Sequence, residues 1–189
     1  MAMTPVQEAL NAITMVLPTA ALLLLGRSNN YQRALLLGTA AHLPVSFAYH
    51  MGMALGMFHD RLDNRLRRWD QGMQHVLCVV FSWALSHGSV KFTMLNGLIN
   101  TYFVAQIFRK NDGRRWIPVA ACTALYTLPM LWRGDAENYA KAMLSIAAGG
   151  LAFVPEINMR LFNGWGHSCI FHVALSYFAQ ALWESLLLD

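Results

Sequence analysis

Charge is what this sequence has least of. Of 189 residues only 13% are Asp, Glu, Lys or Arg, while 56% are hydrophobic and the mean hydropathy is +0.36. A soluble domain carries about 25% charged residues, so the chain has about half of what a water-facing surface uses. Cysteine is scarce as well. Cys78, Cys122 and Cys169 are odd in number, far apart and set in apolar segments, which excludes a disulfide framework and leaves packing thiols. The first apolar run, 12–25, has no basic region before it and no small-x-small cleavage site after it. It reads as a retained helix, not a secretory signal. Internal repeats and low-complexity tracts are absent too.

What the chain does have is long uncharged stretches separated by short charged islands. A charge at the centre of a bilayer costs roughly 3 kcal/mol or more, so this pattern describes membrane spans joined by tight loops. The competing reading is a soluble helical protein with an unusually apolar core. A span needs about 20 apolar residues, and seven segments qualify, near 9–26, 34–58, 71–88, 91–108, 116–132, 139–159 and 168–188. The expectation is an all-α integral membrane protein, a seven-transmembrane helix bundle with short loops, forming a single domain over 1–189. No room is left for a soluble domain.

Basic residues orient the bundle. The loops after spans two, four and six hold Arg61, Arg65, Arg67, Arg68, Arg109, Lys110, Arg114, Arg115 and Arg160. The other side holds Arg27, Arg33, Lys91, Arg133 and Lys141. The bias puts the amino terminus in the cytoplasm. The net charge of +4 comes mostly from loop arginines, which suits lipid headgroups and argues against a nucleic-acid partner.

Polar residues inside spans are costly and therefore candidates for function. Span two carries His42, Ser46 and His50. Each step of four residues turns a helix by about 40°, so the three share one stripe. Span three opens with Asp70 and continues to His75. Span six ends with Glu156 and Asn158, and span seven opens with His167 and Ser168, followed by His172. Span two ends on the face where spans three and seven begin. His50, Asp70, His167 and His172 therefore fall near one membrane face. A lone intramembrane histidine is more often an interhelical hydrogen bonder than a ligand. Three at one depth with a carboxylate suit a zinc site, with a fourth position left for water. Asp70 would serve that water, and Ser46, one turn from His50, would donate to an oxyanion. His42, two turns further in, is expected to lie off any shared site, and His59 and His87 at the interface.

These residues carry a resemblance. Ser46-Phe47-Ala48-Tyr49-His50 in span two, Trp69-Asp70-Gln71-Gly72 at the start of span three, and the stretch around His167 and His172 in span seven resemble the superfamily of alkaline ceramidases, adiponectin and progestin receptors, and myomaker-like proteins. Its pattern is Ser-x-x-x-His, then Asp, then His-x-x-x-His, in that order across seven spans. The resemblance implies zinc (Zn2+) held by His50, His167 and His172, with Asp70 and Ser46 catalytic. It implies hydrolysis of a membrane-lipid amide or ester, as by a ceramidase or phospholipase. The alternative it implies is a non-enzymatic fusion or receptor protein of the myomaker-like or receptor kind, with structural zinc.

One departure matters. The family spaces its last two histidines four apart, whereas His167 and His172 are five apart, which on a regular α-helix separates them by about 140°. A π-bulge would realign them. So would a His167 that precedes the first regular turn, which Gly164 and Gly166 would permit. Without either, the shared metal site fails.

The charge bias predicts that the loops at 61–68 and 109–115 face the cytoplasm. Cysteine introduced at Asn64 or Asp112 should resist an impermeant thiol reagent applied to intact cells. Ready labelling from outside would invert the topology.

Overall fold

A computed structural model describes residues 3–26, 28–58, 64–109 and 116–187. Arg27, His59, Arg61, Lys110, Asp112, Arg114 and Arg115, used above for orientation or its test, lie outside the described residues. All regular structure among the described residues is helical. The helices are α1 (Pro5–Thr14), α2 (Val16–Leu24), α3 (Asn30–Ala54), α4 (Arg65–Leu85), α5 (Val90–Arg109), α6 (Trp116–Trp132), α7 (Ala136–Phe153), α8 (Pro155–Phe162) and α9 (His172–Ser185), with a π-helical turn over His167–Phe171 leading into α9. They occupy the seven apolar segments read from the sequence. Among the described residues, on length and composition alone, one helical run, Pro5–Leu24, qualifies to cross a membrane, with mean hydropathy 1.3, while Trp116–Trp132 is apolar but shorter.

Two segments expected as single helices are broken, both at proline. Pro18 has no N–H to offer the carbonyl of Thr14, and the first helix breaks at Met15. Pro155 splits the sixth segment. Val154 before it is extended, with ψ 120°, as a residue preceding proline prefers. Asn158 therefore belongs to the short α8 and not to the end of a long span.

Local chemistry starts the helices. Thr4 caps α1 in a reciprocal box with Gln7, and Pro5 occupies the first turn, where no N–H is needed. Asn29 and Gln32 form the same box at α3. That second box reaches across the bundle, because Gln32 Nε2 donates to the Trp183 carbonyl at 3.0 Å and Asn29 Nδ2 donates to the Leu186 carbonyl at 2.9 Å. The start of α3 thus donates to two carbonyls at the end of α9. Arg133, at the end of α6, donates to the Leu85 carbonyl and to Ser185 Oγ, tying the ends of α4 and α9 together.

The neighbours α3/α4, α4/α5, α4/α6, α7/α9 and α1/α3 pack side by side, with α2 against α9. Leu85, Tyr126, Met130, Phe178, Leu182 and Trp183 form the apolar core between α4, α6 and α9. Elsewhere the usual partition is reversed. Among the described residues buried polar side chains are as numerous as buried apolar ones, and large apolar side chains face outward on every long helix. Helix α5 is the clearest instance: Val90, Met94, Leu98 and Tyr102 form an outward stripe, each 60–71% exposed, while Asn96 and Asn100 are buried.

Gln32 is fully buried and bonded at both ends of its amide. Gln32→Leu should leave the Asn29 N–H without its acceptor and the Trp183 carbonyl with the Leu186 N–H alone, and cost about 1–3 kcal/mol. A thermal midpoint lowered by several degrees in the purified variant is the expected reading. An unchanged midpoint would show that the α3–α9 link carries no stability.

Candidate functional site

Helices α1, α3 and α4 and the π turn meet around a group of buried polar side chains. Along α3 the stripe is as the spacing requires, with His42, Ser46 and His50 all facing inward and 2–8% exposed. On α4, Asp70 is buried in the second turn. His167 and His172 begin and follow the π turn, and both are buried.

The five-residue spacing is resolved in that turn. The His172 N–H bonds the His167 carbonyl, an i→i+5 bond that opens the turn by one residue and brings both imidazoles to one side. Their ring centres are 4.9 Å apart. His167 also meets His50 edge-on, ring centres 5.2 Å apart. The three histidines singled out from the sequence are thus in contact, and Phe153 and Phe171 pack against His167. Gly166 fits the entry to the turn. A Cβ there would lie 3.1 Å from the Ala152 carbonyl, and its N–H is held by Asn158 Oδ1 at 2.8 Å.

Hydrogen bonds on the imidazole Nδ1 atoms fix their roles. His50 Nδ1 lies 2.7 Å from Glu8 Oε2. His172 Nδ1 lies 2.6 Å from Thr14 Oγ1, and that hydroxyl also sits 2.6 Å from the Leu10 carbonyl. A threonine has one proton to give and a carbonyl can only accept, so the hydroxyl donates to Leu10 and accepts from His172. The Nε2 of His172 is then a bare lone pair. It is buried without a hydrogen-bond partner.

Asp70 departs from expectation in its company. His42, which the spacing set apart from the site, bonds Asp70 Oδ1 through Nε2 at 3.0 Å. Ser46, one turn along the same stripe, also faces the Asp70 carboxylate. The packing of α4 on α3 brings Asp70 to His42 and not to His50, a pairing that helix counting does not contain. His75 goes elsewhere, bonding Asn100 Oδ1 at 2.7 Å and stacking on Phe103. His87 packs on Tyr31 in the turn after α4.

Sequence reading missed Glu8 and Thr14. A signal existed for Glu8, the one acidic residue before Asp60. In a seven-span layout span one begins on the same face where span two ends. Thr14 gave no signal, since a threonine in an apolar helix commonly bonds its own backbone.

Among the described residues no group of three or more His, Cys, Asp and Glu side chains is placed to hold a metal ion. No family model matches the chain, and no curated protein or solved structure matches it.

Proposed function

We propose that this chain is a seven-span membrane protein that binds zinc through His50, His167 and His172 and hydrolyses an amide or ester bond of a membrane lipid. The observation that carries the proposal is the state of His172. It is fully buried, its Nδ1 is engaged by Thr14, and its Nε2 is an acceptor with nothing to accept from. Buried polar atoms are seldom left so, and an unmet lone pair calls for an ion.

Ring spacing supports the same reading. Three imidazoles that share one ion by nitrogen would have ring centres about 5 Å apart, and the two pairs in contact here are 5.2 and 4.9 Å apart. Support for the membrane comes from the outward stripe of α5 over buried asparagines. Water favours the opposite arrangement, whereas lipid accepts the apolar face and forces polar groups inward.

Zinc there supplies Lewis acidity, activating water near neutral pH and polarising a carbonyl. The chain's own residues do the rest. Asp70 takes a proton from the attacking water, and His42 at 3.0 Å holds its carboxylate in place. Ser46 donates a hydrogen bond to the oxyanion that develops on the acyl carbon. Phe153 and Phe171, packed on His167, keep bulk water from the rings. A second reading keeps the zinc and drops the reaction. The enclosure of His172, 0% exposed, favours it, because a structural zinc is closed to solvent.

Detergent-purified protein should carry about one zinc per chain, and chelation should lower its thermal midpoint, since a metal bound by the native state alone stabilises it. Elemental analysis that finds no zinc after chelator-free purification would end the proposal.

With turnover of a ceramide and phospholipid panel as the readout, Ser46→Ala should slow the reaction by about 10²- to 10³-fold while keeping zinc. Asp70→Asn should slow it at least as much, because an amide cannot take the proton. Full zinc with no turnover in the wild type would favour the structural reading. Zinc-dependent turnover unaffected by both substitutions would remove the catalytic roles.

A further inference from the structure

The first helix stands outside the Ser-His, Asp, His-His pattern, yet two of its side chains grip two of the three histidines. We infer that α1 is the positioning element of the site, with Glu8 setting His50 and Thr14 setting His172 so that each presents Nε2 to the metal. The inference rests on the zinc reading above and adds to it a fourth structural element and two residues.

Direction of the hydrogen bonds is the first support. Glu8 is buried beside His50 at 2.7 Å. With Glu8 ionised its oxygens only accept, and His50 Nδ1 then carries the proton and leaves Nε2 its lone pair. Thr14 imposes the same tautomer on His172, because its own proton goes to the Leu10 carbonyl at 2.6 Å. Two different side chains on one helix thus select one nitrogen on two rings. Unaided, a neutral imidazole places its proton on either nitrogen, and three of the four combinations on two rings would face the metal with at least one N–H.

Electrostatics is the second. A buried carboxylate is costly unless positive charge lies close. A dication on the far nitrogen of the His50 ring would add positive charge through that ring, and the carboxylate would in turn strengthen the ring as a donor.

The third is how α1 is held. Its capping residue Gln7 donates to the Asn163 carbonyl at 2.8 Å, in the connection that leads into the π turn. At the other end Thr14 reaches His172 just beyond that turn. The helix therefore spans the π turn from both sides, and its position and that of the two histidines are set together. Thr14 is the last residue of α1, immediately before the break at Met15. The break lets α2 follow α9 while α1 keeps its place beside α3 and the π turn.

The test is zinc affinity of the purified full-length protein, measured by competition against a chromophoric chelator, beside the thermal midpoint of each metal-free variant. Glu8→Ala and Thr14→Val should weaken zinc binding by about 10- to 100-fold, the usual loss when a ligand's outer partner is removed. Thr14→Ser keeps the hydroxyl and should restore wild-type affinity. Glu8→Gln keeps an acceptor without charge and should fall between Glu8→Ala and wild type. A purely structural role predicts instead that affinity follows the metal-free midpoint and that Thr14→Ser rescues nothing. Wild-type affinity in both Glu8→Ala and Thr14→Val would overturn the assignment of α1 and leave the histidine site standing. A wild type that binds no zinc would overturn both, and that arm is read before any variant.

Discussion

A polar side chain enclosed by helices with apolar outer faces has no water to return to, and it must be satisfied by a neighbouring helix. Much of this structure follows from that constraint. Gln32 is spent on the end of α9, Asn158 on the entry to the π turn, His75 on Asn100, and Thr14 and Glu8 on two histidines. These contacts are few and each joins different segments. They fix the relative placement of helices that apolar contact alone would leave free to slide, since one greasy face packs on another in many registers. The same constraint marks the site. Most buried donors and acceptors are matched, and the bare Nε2 of His172 is among the few that are not.

The site is also layered by element. Helix α3 contributes one stripe holding His42, Ser46 and His50. Helix α4 adds Asp70, the π turn adds two imidazoles, and α1 backs two of the rings. His42–Asp70 and Glu8–His50 are both histidine–carboxylate contacts, at 3.0 and 2.7 Å, but they have opposite senses. On the proposed reading, the first is an imidazole that steadies a carboxylate able to act, and the second a carboxylate that steadies an imidazole able to bind.

Much of this was legible in the sequence, for reasons that can be stated. Helix positions follow from uninterrupted apolar runs, and the shared stripe of residues 42, 46 and 50 follows from helical period. The spacing of His167 and His172 posed a definite question with two structural answers, and the structure takes the π-helical one. What was illegible depends on crossing geometry. That Asp70 meets His42 is a matter of how α4 packs on α3, and no count of residues contains that register. Thr14 was invisible because its bond to its own backbone is common, and only a partner 158 positions away makes it matter. The breaks at Met15 and Val154 were readable from Pro18 and Pro155, but the length of the apolar runs outweighed them.

The π turn has a consequence for how the chain tolerates change in length. An i→i+5 turn holds one residue more than an i→i+4 turn and absorbs it locally, without passing a rotation on to the helix that follows. The surplus lies among Ser168, Cys169, Ile170 and Phe171, between two histidines that already face the same way. Excision of one of these residues would therefore return the turn to α geometry and leave α9 in its present register against α7. An added residue has no such remedy. It would carry His172 about 100° round the helix and away from Thr14. Between these two histidines the chain is built to survive a deletion and not an insertion.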